Sequence, residues 1–537
     1  MKEVDYLIIG AGSAGCVLAA RLAESGLDDV LLLEAGGWDS SLWLKVPIGY
    51  GKSFYDPKVN WMYETEPDPN LANTKAFWPR GKVIGGSSSI NAMVYMRGHP
   101  GDFDDWASLG NPGWSYDEVL PFFKKSEQHC FGPSTYHGAD GPLGVSDFAD
   151  QVHPLCQHFL DGCLQAGIPP TDDFNGAQME GAGLWQMNIW NGLRASTSAA
   201  FLKPNLNKVN LHVLTRAHVT KILFEGKVAR GVEYLRGGVR HIVKARREVI
   251  LSAGAINTPQ LLELSGIGQA ERLQALNIPI VHANSRVGEG LQDHVAVCYF
   301  YRSKVPTLNQ TLGSLRGKIG AALQYLLTRK GPLGMSVNQA GAFMRSRPDL
   351  ERPNLHLYFN PISYTIPRGT RPKIAQPDPF PAFLMSFNTC RPTSRGHIHI
   401  KSSDPREAPA IQTNCLSTEA DIRDVYDGAR VMRQLASTAA LQAVIDHEYI
   451  PGAQCQSDDE VLADFRARAA TVYHASCTAA MGVDPNRSVV SPELKVHGVE
   501  RLRVVDASVF PTVTSGNTNA PTIMVAEKAA ELILAEE

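Results

Sequence analysis

The chain has 537 residues, 44% of them hydrophobic and 20% charged, with a formal net charge of −3. That length suits two to four domains and a closed cavity within a large core. No block of basic residues marks a nucleic-acid surface, and no apolar run reaches the roughly 18 residues of a membrane span. The nine cysteines are scattered and form no Cys-x-x-Cys pair, which argues against a disulfide framework and a structural zinc site and fits a reducing compartment. No metal is expected. Val4 to Ile9 already read as a strand, so no targeting segment is expected ahead of the fold. A cytoplasmic location follows, with peripheral attachment to the inner face of the membrane left open.

After that first strand come Gly10-Ala11-Gly12-Ser13-Ala14-Gly15, a small-residue helical pattern from Ala14 to Ser25, a helix stop at Gly26 and a second strand from Val30 to Leu33. Strand, glycine turn, helix and strand in this register are the context of a dinucleotide fingerprint. Gly10 permits the tight turn, Gly12 lets backbone approach a pyrophosphate, and Gly15 lets helix and strand pack closely. The helix N-terminus then favours the anion. Glu34 ends the second strand 19 residues after Gly15, where a carboxylate accepts from ribose hydroxyls and repels a 2′-phosphate. The fingerprint by itself does not separate FAD from NAD.

Gly81 to Asp104 contain the small-residue run Gly85-Gly86-Ser87-Ser88 followed by Asn91, a ribbon able to lie against a flat ring. Arg216 to Phe224 and Val228 to Tyr234 read as paired strands. Glu248 to Leu251 read as a strand leading into Gly254 to Gly268, with a helix starting at Thr258-Pro259. Asn354 to Phe359 and Gly396 to Lys401 alternate like half-buried strands, and Ile366 to Pro381 read as an exposed loop. Val472 to Gly482 (VYHASCTAAMG) and Ser515 to Thr522 (SGNTNAPT) precede a terminal helix from Ile523 to Leu534.

The segments Gly81–Asp104 and Gly254–Gly268 resemble, position by position, the two signature patterns of the glucose–methanol–choline (GMC) family of FAD-dependent oxidoreductases. Trp78-Pro79-Arg80, Leu291-Gln292-Asp293-His294, Ser394-Arg395-Gly396 and Leu502 to Ser508 are similar to further landmarks of that family. The likeness runs from Tyr6 to Ile533, is nearest to bacterial choline dehydrogenase-like and FAD-dependent alcohol dehydrogenases, and is weakest from Val297 to Pro381. It implies an α/β fold: a Rossmann-like FAD-binding domain (1–155, 207–296 and 466–537) interleaved with an α+β substrate domain (156–206 and 297–465) whose antiparallel sheet roofs the flavin.

The resemblance further implies FAD contacts from Gly10, Gly12, Ser13, Ala14, Gly15, Glu34, Ala35, Trp61, Arg80, Gly81, Val83, Gly85, Gly86, Ser87, Asn91, Ala92, Met93, Val94, Val219, Ala253, Gly254, Asp506, Ala507, Asn517 and Thr518. It assigns His474 and Asn517 as the polar pair above the flavin. Histidine suits proton transfer near neutral pH. Yet an alcohol near pKa 16 and an imidazole near 6.5 differ by about nine units, on the order of 12 kcal/mol. Asn517 is therefore expected to support the developing oxyanion while hydride leaves for flavin N5. Ile90 stands where some choline-oxidising relatives carry a histidine bonded to FAD, so non-covalent FAD is expected, and His99 is not that ligand. Cys477 reads as a buried structural thiol. Candidate substrate-cavity residues are Phe343, His356, Tyr358, Asn360, Phe387 and Tyr473. The expected reaction is oxidation of a primary alcohol, polyol or sugar with a quinone or dye-like acceptor; the alternative is an oxidase of aryl or furanic alcohols that reduces O2 to peroxide. No cluster of acids marks a quaternary ammonium site, so choline is not favoured.

Overall fold

The computed structural model describes residues 3–364 and 376–536. Most of the expected loop Ile366–Pro381 therefore lies outside the described residues.

Two seven-stranded sheets organise the chain. The first is parallel at its centre, in the order Leu211–Leu214, Val30–Leu33, Glu3–Ile9 and Val239–Leu251, with Leu502–Val504 parallel to the far side of the last. The strand Val239–Leu251 also pairs antiparallel with Val228–Arg236, which pairs with His218–Glu225. All-apolar runs such as Val30–Leu33 are buried along their whole length, as the interior of a parallel sheet covered on both faces requires. The helix Ser13–Leu22 crosses from the first strand to the second and ends before Gly26. Gly15 explains its closeness to the sheet, since a Cβ there would lie 1.9 Å from the Gly10 carbonyl oxygen.

The second sheet is antiparallel, in the order Ile445–Ile450, Val295–Ser303, Ala382–Thr389, Leu355–Asn360, Ala340–Met344 and Gly181–Leu184. Its side chains alternate. Val297, Tyr299, Leu357, Phe359, Met385 and Phe387 pack in a core with the helices Leu155–Gln165 and Glu419–Ala436. Ala296, Cys298, Tyr358, Asn360, Leu384 and Ser386 face a cavity between the two sheets. An α/β layer with an antiparallel roof is thus present. The strand Gly396–His399 is not part of that roof; it forms a small three-stranded sheet with Glu289–Leu291 and Ala410–Gln412. Alternation identifies a strand but not its partner.

The helix expected from Thr258 begins four residues earlier, at Gly254, and carries Pro259 inside it. Pro259 has no N–H for the carbonyl of Ala255. The Thr478 hydroxyl supplies the missing donor at 2.6 Å, so a distant loop repairs the helix. All nine cysteines are free thiols. Among the described residues no helix is long and apolar enough to cross a membrane.

Thr478→Val keeps the shape of this buried side chain but leaves the Ala255 carbonyl unpaired. It should lower stability by about 1–3 kcal/mol, read as a reduced denaturant midpoint at unchanged slope; an unaltered midpoint would show that the helix needs no such donor.

Candidate active site

The cavity has a volume of about 1840 Å³. A usual small-ligand site is roughly 300–1,000 Å³, so there is room for a dinucleotide and a second molecule. It opens where the parallel strands end, the place at which α/β sheets bind ligands: Gly10, Glu34 and Ser252 each follow the last residue of a strand and line it. Glu34 accepts the backbone N–H groups of Ala11 at 2.9 Å and Gly36 at 2.7 Å. Burial outweighs these bonds and pushes its carboxyl up to about 7.

Two helices begin at this cavity without a side-chain cap, Ser13–Leu22 after Gly12 and Asn519–Leu534 after Thr518. The Ser13 hydroxyl donates to Asn519 Oδ1 at 2.8 Å, tying the two starts together. Unpaired N–H groups and two positive dipole ends therefore converge on one spot. Beside them runs the glycine–serine ribbon. Gly85 and Gly86 have φ of 87° and 51°, and a Cβ on Gly86 would come within 2.6 Å of Gly12 Cα. Behind the ribbon the buried Arg194 guanidinium donates to Asn91 Oδ1 at 2.7 Å and Ser88 O at 3.2 Å.

His474 stands at the other end, beneath the roof. Its backbone is clamped on both sides: Asp293 Oδ1 accepts its N–H at 2.6 Å, and Arg80 donates to the Tyr473 carbonyl at 2.8 Å. Asp293 also accepts from Trp78 Nε1 and the Thr471 hydroxyl. Tyr473 is held at φ 71°, a strained conformation for a tyrosine that its neighbours must impose.

The hydrogen bonds of His474 fix where its proton sits. His294 Nε2 lies 2.9 Å from the Cys390 carbonyl oxygen, which only accepts, so that nitrogen carries the proton. Burial pushes His294 down to about 4; the ring is neutral and its Nδ1 is an acceptor. His474 Nδ1, at 2.8 Å from it, must then be the donor, and Nε2 of His474 keeps its lone pair. A second chain of bonds agrees. The Tyr358 hydroxyl donates to Asn517 Oδ1 at 3.4 Å, which turns the amide so that Nδ2 donates to His474 Nε2 at 3.0 Å. Burial above all, then the neighbouring His294, His356 and Arg80, holds His474 well below the usual imidazole value. An unprotonated nitrogen and an amide donor thus lie side by side on the cavity wall, the pair needed to take a hydroxyl proton and steady the oxygen it leaves.

Family profiles described as GMC oxidoreductase match residues 4–296 and 392–526. The chain is a GMC oxidoreductase. This GMC oxidoreductase is 44% identical to mitochondrial choline dehydrogenase of Mus musculus, over 99% of its own length and 89% of the relative's. It is 42% identical to an alcohol dehydrogenase [acceptor] of Pseudomonas putida, over 99% and 95%. Its structure superposes with a TM-score of 0.92 on an Aspergillus oryzae RIB40 formate oxidase studied for FAD modification, at 26% identity with 100% and 99% coverage. GMC oxidoreductases are FAD enzymes acting on CH–OH donors, and so is this chain. The cavity fits that cofactor: the paired helix starts suit a pyrophosphate, the ribbon leaves a flat slot, and the buried Ser252 hydroxyl on the wall has no partner among the described residues.

The cavity wall includes Gly10, Gly12, Ser13, Ala14, Glu34, Ala35, Trp61, Arg80, Gly81, Gly86, Ser87, Asn91, Ala92, Met93, Val94, Val219, Ala253, Gly254, Asp506, Ala507, Asn517 and Thr518. Gly15 and Gly85 lie behind it in the backbone turns, and the Val83 side chain packs with Leu44 and Ile90. Asp506 spends its carboxylate on Gly254 N, Thr258 Oγ1 and Ser508 N; it braces two helix starts.

Of the substrate-cavity candidates, Tyr358, Asn360 and Tyr473 reach the wall. Phe387 does not: it lies on the opposite face of the roof, against Gly428, because it falls on the other parity of its strand. Leu384 and Ser386 occupy the inward positions. Phe343 and His356 sit on the inward face but are sealed in a stack with Trp185. Cys477 is buried, and desolvation pushes its thiol up to about 12. His294, Arg194 and the Cys390 carbonyl escaped sequence reasoning. Only His294 carried a signal, as the last residue of Leu291-Gln292-Asp293-His294.

The folded chain keeps His294 neutral down to about 4, whereas the unfolded chain protonates it near 6.5. Between those values the unfolded state binds more protons, so stability falls as pH falls through the window. Denaturant midpoints should drop between pH 7 and pH 5, and His294→Asn should narrow that drop; an equal drop in the variant would mean that this ring does not titrate there.

Proposed function

We propose that this enzyme oxidises an uncharged primary alcohol to the aldehyde, with His474 as the base and Asn517 as the hydrogen-bond donor to the alcohol oxygen. The carrying observation is the lone pair on His474 Nε2 beside the Asn517 amide at the cavity wall. The alcohol takes the place of the bond between Asn517 and His474, with its O–H directed at Nε2 and its oxygen accepting from Asn517 Nδ2. His474 takes the hydroxyl proton, and the imidazolium shares its Nδ1 proton with His294. Bound FAD supplies the acceptor for the carbon-bound hydrogen and its two electrons. The depressed basicity of His474 makes it a weak base on its own, so the Asn517 bond to the nascent oxyanion and concerted departure of the C–H hydrogen offset part of the cost.

The wall near His474 supports the substrate class. Ala296, Cys298, Leu384, Ser386, Tyr358 and Asn360 include no carboxylate. Choline, the substrate named for the mouse relative, would find the Tyr358 ring but no anion among these six residues. Electrons pass to a quinone or dye-like acceptor, in keeping with the acceptor-dependent Pseudomonas relative. The FAD is bound without a covalent link: Ile90 has no nucleophile, and His99 caps the helix Pro100–Ser108 outside the cavity wall. The segments 1–155, 207–296 and 466–537 serve as the FAD-binding domain, supported by their holding every strand of the first sheet; 156–206 and 297–465 form the substrate domain.

Mixed anaerobically with n-alkanols, choline and glucose in turn, the enzyme should lose its flavin absorbance fastest with an alkanol; fastest bleaching by choline or glucose would overturn the substrate class. His474→Ala should slow that bleaching about 10²–10⁴-fold while retaining FAD, and an unchanged rate would remove His474 as base. Dye reduction in air should exceed peroxide formation. Acid precipitation should leave the yellow colour in the supernatant, and a yellow pellet would reveal a covalent bond.

A further inference from the structure

The helix Leu315–Thr328 turns its apolar side outward. Leu315, Ile319, Leu323, Leu326 and Leu327 are 75%, 52%, 55%, 67% and 83% exposed, while Ala321 and Tyr325 alone are buried. Spacing by four puts Leu315, Ile319, Leu323 and Leu327 in one row, and Leu326 lies beside it. A surface helix of a protein that meets only water has the reverse pattern, so this stripe marks a contact.

Charge identifies the contact. From 294 to 348 there is no Asp or Glu, against eight Lys and Arg. Four of these basic residues, Arg316, Lys318, Arg329 and Lys330, lie on or just beyond the helix. Lys330 is neutralised by Asp150 at 2.7 Å; the other three form no ion pair among the described residues. A second copy of the chain fits poorly, because a two-fold contact through this stripe brings basic residues against basic ones with no acid on the helix to pair them. An aliphatic stripe edged by cations and free of acids is the arrangement that lies in the headgroup layer of an anionic bilayer.

The stripe also adjoins the active-site cavity. Leu312, Lys318 and Ala322 line that cavity, as does Trp43, which is 41% exposed with Lys52 Nζ 3.4 Å from its ring centroid. Near Trp43, Ile48 N donates to Leu333 O at 3.2 Å, joining that turn to the segment following the helix. Tryptophan with lysine at its face is an interfacial anchor.

We propose that the helix Leu315–Thr328 docks the enzyme on an anionic lipid bilayer and brings the cavity mouth against the membrane. A lipid-dissolved acceptor of the quinone class or a long-chain alcohol then reaches the cavity from the hydrocarbon side. The docking stands on the surface alone; the route for acceptor or alcohol rests on the function proposed above.

The test is sedimentation of the FAD-loaded full chain with vesicles of phosphatidylcholine, with and without phosphatidylglycerol. Binding should be more than tenfold stronger on the anionic vesicles and weaken as salt rises. Leu323→Glu/Leu327→Glu should lose more than tenfold of it and Arg316→Gln about fivefold, each with dye reduction in solution unchanged. Wild-type protein left in the supernatant with anionic vesicles would overturn the proposal, as would undiminished binding by the double variant. A dimer that the double variant splits into monomers would assign the face to a second copy instead. Vesicle binding by an enzyme that bleaches with no alcohol would sink the functional reading and leave the docking intact.

Discussion

The hydrogen bond between His294 and His474 is the interaction on which the site depends. Two imidazoles 2.8 Å apart form a bond only if one ring donates and the other accepts, and the Cys390 carbonyl decides which. Burial keeps both rings neutral, since an imidazolium there would face desolvation and its neighbour at once. The outcome is an imidazole whose unprotonated nitrogen lies on the cavity wall, its lone pair accepting from the Asn517 amide. For the proton transfer proposed above, a tautomer set in advance removes a reorientation step.

The rest of the fold holds that geometry from two directions. The loop carrying His474 is bonded to the first sheet's side through Cys477 N to Ala507 O at 3.1 Å and Ala479 N to Ser508 O at 2.8 Å. On the other side Ser476 N meets Gln292 O at 3.0 Å, and the strand Ala470–Thr471 pairs with the start of the roof strand Val295–Ser303. The loop is therefore a seam between the sheets. Thr478 extends the seam by repairing the helix that Pro259 would weaken.

Much of this was legible in the sequence. The first fingerprint was readable because each glycine has a local reason and the flanking strands are apolar along their whole length. His474 and Asn517 were readable through motif resemblance, since a lone histidine carries no address. What could not be read was partnership across long sequence distances. The bond from His294 to His474 spans 180 positions and that from His294 to Cys390 spans 96, and nothing local records either. Phe387 failed for a simpler reason: its strand lies in a sheet with one face on a hydrophobic core, so an aromatic residue fits either parity, and register alone decides. The start of the helix at Gly254 was obscured by Pro259, which reads as a beginning unless another residue donates in its place.

The anchor of the imidazole pair is a main-chain oxygen. Every amino acid brings the same carbonyl to position 390, so no exchange of side chain there deletes the acceptor; it can only be displaced by bending the chain around it. A systematic scan of point variants would pass over the atom that sets the tautomer and would credit the effect to the two rings it governs. Side chains on the cavity wall such as Leu384 and Ser386 can be exchanged without touching that acceptor, because the atom that sets the tautomer is exempt from the genetic code.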